Sequence, residues 1–277
     1  MINRIEKTFE KLKADGDKAL VSFITAGDPN MEKSEQILCD LPKYGVDIIE
    51  VGIPFSDPMA DGPTIQKSSN RAISAGSNLS KTLKIINKFR RVNSKTPIVL
   101  MGYFNPIFQF GLEKFFNSCK KIGIDGIIVV DLPPEENDLI NVYTKKYGVH
   151  NIRLITPTTD KKRLRKILKF TSGFLYYVSI TGITGTKKPS VLEVKKAVSR
   201  IKANTNLPVV VGFGIDNHKQ AVALNKISDG CVIGSAIIKI IESYKEHSKS
   251  KISKQIEDFL IKSVSYTHLT LPTRCLV

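Results

Sequence analysis

The sequence predicts an α/β fold, a (β/α)8 TIM barrel, and three observations carry that prediction. Eight short segments rich in Val and Ile recur along the 277 residues, at 19–25, 48–51, 97–101, 126–130, 152–155, 174–179, 208–212 and 230–233. Most are near-continuously apolar, as strands covered on both faces must be. Stretches with helical spacing and a charged face lie between them, and that alternation implies right-handed parallel crossovers. Eight such units in about 250 residues match the size of a closed barrel. A doubly wound open sheet is the competing architecture, but no GxGxxG follows the first strand.

In chain order, residues 3–13 carry Ile5, Phe9 and Leu12 at helical spacing, which predicts a helix placed to cover the barrel's bottom. Crossover helices are predicted at 32–44, 79–91, 112–122, 135–147, 160–170, 191–202 and 219–226, with an extra helix at 64–75. A charged amphipathic helix runs up to Lys262. Residues 1–262 therefore read as a single barrel domain. The remainder, 263–277, includes SYTHLTLPTRCLV, with no acid and no helical period, and is expected to be non-native or unstructured.

Composition narrows the class. No apolar run approaches the length of a bilayer span, and the N-terminal residues show neither an apolar signal core nor an acid-poor leader, so a cytoplasmic protein is expected. Cys39, Cys119, Cys231 and Cys275 are scattered, without metal spacing, and suit a reducing compartment. The net charge of +16 arises from 42 Lys and Arg against 26 Asp and Glu. The basic residues lie on predicted helix faces with no interleaved aromatics, which argues against nucleic-acid binding and suits an anionic small molecule.

The most informative stretch is DIIEVGIPFSDPMADGPTIQ, from Asp47 to Gln66. Side chains alternate along a strand, so Ile48 and Glu50 share one face and Ile49 and Val51 the other. An acid on an otherwise apolar strand is costly to bury unless it is used. Asp61 follows on a proline-stiffened loop that can return over the strand end, and two carboxylates in different environments can divide acid and base roles. The alternative is that Glu50 caps a neighbouring loop and Asp61 starts a helix. Glycines follow three late strands: Thr181-Gly182-Ile183-Thr184-Gly185, Gly212-Phe213-Gly214, and Gly234-Ser235 before a helix. Gly lets backbone N–H groups approach a ligand, and a helix N-terminus favours an anion, so Gly185, Gly214, Gly234 and Ser235 are expected phosphate ligands; tight turns are the alternative.

The 47–66 stretch closely resembles the signature of the tryptophan synthase alpha subunit family. The blocks Phe23-Ile24-Thr25-Ala26-Gly27-Asp28-Pro29, Met101-Gly102-Tyr103-Phe104-Asn105-Pro106-Ile107, Asp131-Leu132-Pro133 and Gly212-Phe213-Gly214-Ile215 resemble other blocks of that family in the same order. The resemblance implies a lyase that cleaves indole-3-glycerol phosphate to indole and glyceraldehyde 3-phosphate by a retro-aldol reaction, in tryptophan biosynthesis. It implies Glu50 as general acid/base and Asp61 as the anion at the indole nitrogen. Phe23, Ile65, Met101, Ile128, Val130, Tyr176 and Phe213 match positions lining the family's pocket, and barrel core is the alternative for each. Thr184 matches a residue that positions Asp61, and 179–189 resembles the family's lid.

The resemblance also implies a beta subunit that carries pyridoxal phosphate and receives indole, in an alpha2beta2 assembly, with no cofactor or metal in this chain. Asp57 and Pro58, and the proline-braced segment with Asn105 and Pro106, are expected to form loops at that contact. A free-standing indole-forming lyase, another phosphate-sugar isomerase barrel, a non-catalytic scaffold and a basic nucleic-acid module are the rivals.

Overall fold

A computed structural model describes residues 3–179, 190–212 and 223–264. Its strands are β1 (Ala19–Thr25), β2 (Ile48–Gly52), β3 (Ile98–Gly102), β4 (Gly126–Val129), β5 (His150–Asn151), β6 (Arg153–Ile155), β7 (Leu175–Val178), β8 (Val209–Gly212) and β9 (Gly230–Ile233). They form one parallel sheet in the order β5-β4-β3-β2-β1-β9-β8-β7-β6. The predicted strand at 152–155 is seen as β6, and a two-residue strand, β5, precedes it with Ile152 between the two. β5 pairs with β4 and β6 with β7, so this one run joins the two ends of the sheet and brings the barrel round to near closure.

The helices are α1 (Arg4–Asp15), α2 (Met31–Asp40), α3 (Pro63–Ser74), α4 (Leu79–Val92), α5 (Phe104–Phe110), α6 (Leu112–Ile122), α7 (Asp138–Tyr147), α8 (Lys161–Leu168), α9 (Val191–Lys202), α10 (Ser235–Tyr244) and α11 (Lys249–Val264). The predicted helix at 135–147 is split: a 3-10 turn over Pro134–Glu136 precedes α7. The one at 32–44 ends as a 3-10 turn over Leu41–Tyr44, where Pro42 withholds an N–H from a continuing α-helix. Half of the predicted helix at 219–226, residues 219–222, lies outside the described residues. No helix among the described residues is long and apolar enough to cross a membrane.

Two apolar layers follow from the alternation of strand side chains. Outward residues such as Leu20, Ile49, Val51 and Leu100 pack under the helices. Inward residues, among them Val21, Ile48, Val99, Ile128, Ile152, Phe174, Val210 and Val232, fill the barrel. Ile5, Phe9 and Leu12 of α1 join this inner layer and close its N-terminal end, with the Phe9 and Phe174 rings 5.7 Å apart. Asn3 and Glu6 form a capping box that starts α1. The same end carries three acids that immediately precede strands: Asp47 accepts the Leu20 N–H at 2.8 Å, Asp125 that of Ile98 at 2.9 Å and Asp229 that of Val209 at 2.8 Å. The barrel is thus plugged and stapled at its bottom, and open space is left at its top.

Candidate active site

Glu50 sits on β2 two residues after Ile48, on the inward face, in register with Phe23 of β1 and Val99 of β3. It is 1% exposed, and neither carboxylate oxygen has a hydrogen-bond partner among the described residues. Burial, and then the nearby charge of Asp61, push its pKa from 4.5 to about 8. Glu50 is therefore a neutral acid at pH 7.

Asp61 comes back over the strand end because the loop after β2 is pinned along its length. Ser69 of α3 receives the Phe55 N–H at 2.9 Å, and the Phe55 ring lies 5.3 Å from that of Tyr103. The Ala60 N–H donates to the Tyr103 hydroxyl at 3.0 Å, the Asp61 N–H to the Pro58 carbonyl at 3.0 Å, and Gln66 Nε2 to the Asp61 carbonyl at 2.9 Å. Burial raises the Asp61 pKa from 3.8 to about 6, against the pull of a hydrogen bond from Tyr103. At neutral pH Asp61 is charged while Glu50 is not. Tyr103, quoted in the sequence only as part of a block, is the polar residue that positional reasoning missed. Its place just past the end of β3 is the signal that marks it.

Glu50 and Asp61 line one cavity of about 520 Å³ with Phe23, Ile65, Met101, Tyr176, Gly234 and Ser235. Two glycines shape it. A Cβ on Gly52 would lie 2.7 Å from the Phe23 ring, and one on Gly212 would lie 2.6 Å from the Tyr176 ring, so both aromatics take the space that a side chain at these strand ends would need. Gly234 is the residue before α10, whose first turn has no side-chain cap. First-turn N–H groups have no partner within a helix, and a helix N-terminus favours an anion.

Ile128 is not among the residues lining the cavity. It is 1% exposed in the barrel's inner layer, beside Met101 in register, and Val130 and Leu154 instead face the adjoining space. Thr184, Gly185, Phe213 and Gly214, with most of the expected lid, lie outside the described residues. Asp57 is exposed, Pro58 half-buried, and both lie on the pinned loop. Asn105 and Pro106 are not on a loop, as the sequence suggested, but in the first turn of α5. A proline is tolerated there because first-turn N–H groups have no helical partner, and Asp131 accepts the Phe104 N–H at 2.7 Å.

Fold and site together define an enzyme of the TIM-barrel class, with a largely apolar cavity that two carboxyl groups line at the C-terminal end of the barrel. The family model for the tryptophan synthase alpha chain matches residues 9–265. Tryptophan synthase subunit alpha from Legionella pneumophila is 38% identical, with a TM-score of 0.88 over 96% of this chain and 99% of that one. A protein from Aquifex aeolicus is 36% identical, with a TM-score of 0.84 over 95% and 98%. Tryptophan synthase from Mycobacterium tuberculosis is 26% identical, with a TM-score of 0.86 over 97% and 100%.

The chain belongs to the tryptophan synthase alpha family, and it is a lyase that cleaves indole-3-glycerol phosphate to indole and glyceraldehyde 3-phosphate. Members of this family work with a beta subunit, and the alpha chain is not the one that binds pyridoxal phosphate.

Proposed function

We propose that Glu50 and Asp61 divide the proton chemistry of this cleavage between them. Indole leaves badly as a C3 carbanion. Protonation at C3 gives an indolenine that accepts the electrons of the breaking carbon–carbon bond, while the side-chain hydroxyl must lose its proton to become the aldehyde. Glu50, neutral at pH 7, gives its proton to C3. The carboxylate left behind takes the hydroxyl proton, which restores the acid. Asp61, ionised, faces the ring nitrogen and stabilises the positive charge that develops there. The observation that carries this reading is the buried Glu50 carboxyl, which has no hydrogen-bond partner among the described residues and is held at about 8, inside a cavity it shares with a charged Asp61.

The indole ring lies among Phe23, Ile65, Met101 and Tyr176. The phosphate meets the N–H groups at Gly234 and Ser235, where the positive end of the α10 dipole favours an anion. The beta subunit carries the pyridoxal phosphate, in a cytoplasmic alpha2beta2 assembly, and docks on Asp57, Pro58, Asn105 and Pro106. Support for that face comes from the exposed Met59 and Phe108, at 71% and 55%, which stand beside these residues.

Indole release from indole-3-glycerol phosphate, with and without added beta subunit, tests the reading. Slow release that rises strongly with the partner is expected, and Glu50→Gln lowers turnover about 10²–10⁴-fold with substrate binding largely kept. Turnover within a few-fold of the unaltered chain in that variant overturns the assignment.

A further inference from the structure

A second cavity, of about 610 Å³, adjoins the catalytic one and shares Asp61, Met101 and Tyr176 with it. Its inner end belongs to the site already described. Its outer end, past β4 and β6, is lined by Leu132, Arg153, Thr156, Thr159, Arg163 and Ile167.

Arg153 stands out there. It is an arginine inside a buried strand, 6% exposed, and the cleavage chemistry has no use for it. Its Nη2 donates to the Leu132 carbonyl at 2.8 Å, while its Nη1 is buried and has no partner among the described residues. A buried charge with an open donor is expensive. Arg163, at the start of α8, adds to that cost: after burial itself, its charge is what most disfavours the charged form of Arg153. The compensating acid is Glu135, half solvent-exposed, 3.7 Å from Arg163 and also shared with Lys166 at 3.4 Å. The acids lining the cavity are otherwise engaged. Asp61 stands at the inner end, and Asp131 caps α5. Two guanidinium groups thus border one compartment, and among the described residues neither acid that lines it pairs with Arg153.

We propose that the outer end of this cavity binds the carboxylate of a small aromatic acid, with the carboxylate between Arg153 and Arg163 and the ring toward Met101 and Tyr176. A planar carboxylate matches the guanidinium fork. The apolar wall continuous with the catalytic cavity suits a ring. Such a ligand overlaps the space of the substrate's ring, so it slows cleavage by competition. The assignment goes beyond the roles of Glu50 and Asp61 and is read by binding, so it stands or falls separately from them.

Calorimetry with indole-3-acetate and its neutral analogue indole-3-acetamide tests it. The acid is expected to bind about tenfold or more tighter than the amide. Arg153→Met removes that preference, and Arg163→Met, on the more exposed α8, reduces it several-fold. Where Arg153→Met does not fold, Arg153→Lys and Arg163→Met decide. Equal binding of acid and amide by the unaltered chain overturns the proposal, as does a preference that survives in the Arg163 variant and in the Arg153 variant that folds.

Discussion

The two ends of the barrel treat buried carboxylates in opposite ways. At the N-terminal end Asp125 is clasped by Arg4 at 2.8 Å, by Arg90 at 2.7 Å and by the Ile98 N–H at 2.9 Å. At the C-terminal end Glu50 is as deeply buried and has no hydrogen-bond partner among the described residues. A satisfied carboxylate fixes strands in place. An unsatisfied one has its pKa displaced toward the working pH and is ready to exchange a proton. The difference shows how one fold separates stability, stored at its bottom, from chemistry, carried at its top. Removing a bottom acid should cost folding, and removing a top acid should cost rate.

The largest effect expected is on rate, from Glu50→Gln in the indole-release assay, and the comparison sharpens if the same variant melts no lower than the unaltered chain. Next comes Asp125→Ala. It leaves the buried Arg90 guanidinium uncompensated and should destabilise the fold by about 3–5 kcal/mol in denaturant unfolding, while the fraction that remains folded keeps its activity. Equal stability of that variant would break the comparison from the other side.

The pH dependence is smaller but more diagnostic. Cleavage needs Asp61 ionised and Glu50 protonated. The kcat/KM profile should therefore be bell-shaped with limbs near about 6 and about 8, as apparent values of the coupled pair. Stability should respond as well. Below pH 4.5 the Glu50 carboxyl is neutral in both states; between 4.5 and about 8 only the unfolded chain ionises, so stability falls as pH rises through that window. Glu50→Gln, neutral throughout, should gain Tm relative to the unaltered chain between pH 5 and pH 9. The smallest effect is at the plug. Asn3→Ala removes the cap on α1, whose side chain accepts the Ile5 N–H at 3.0 Å, and should cost about 1 kcal/mol in thermal melting without changing the pH profile.

Much of this arrangement was legible in the sequence, and the parts that were not have physical reasons. Strand alternation alone put Glu50 on the face of Ile48, which is the barrel interior, and apolar spacing placed Ile5, Phe9 and Leu12 under it. The break at Ile152 was hidden because His150 and Asn151, which pair with β4, are polar and read as no strand, and pattern cannot show where a run changes partner. Helix α5 was hidden by Pro106, which reads as a loop signal unless its place in a first turn is known. Ile128 and Met101 are neighbours in register and indistinguishable as apolar strand residues; whether each borders open space depends on depth along the barrel axis, which no one-dimensional pattern records. The Asp47, Asp125 and Asp229 staples are long-range bonds to preceding strands, and Arg153 is unusual only once its burial is known.

The central claim is that Glu50 is a neutral acid at pH 7 because it is buried, with no hydrogen-bond partner among the described residues. Titration of its carboxyl carbon by NMR, assigned by comparison with Glu50→Gln, tests this most directly. A midpoint near 8 is predicted. A midpoint near 4.5, the ordinary value for a glutamate, would contradict the account.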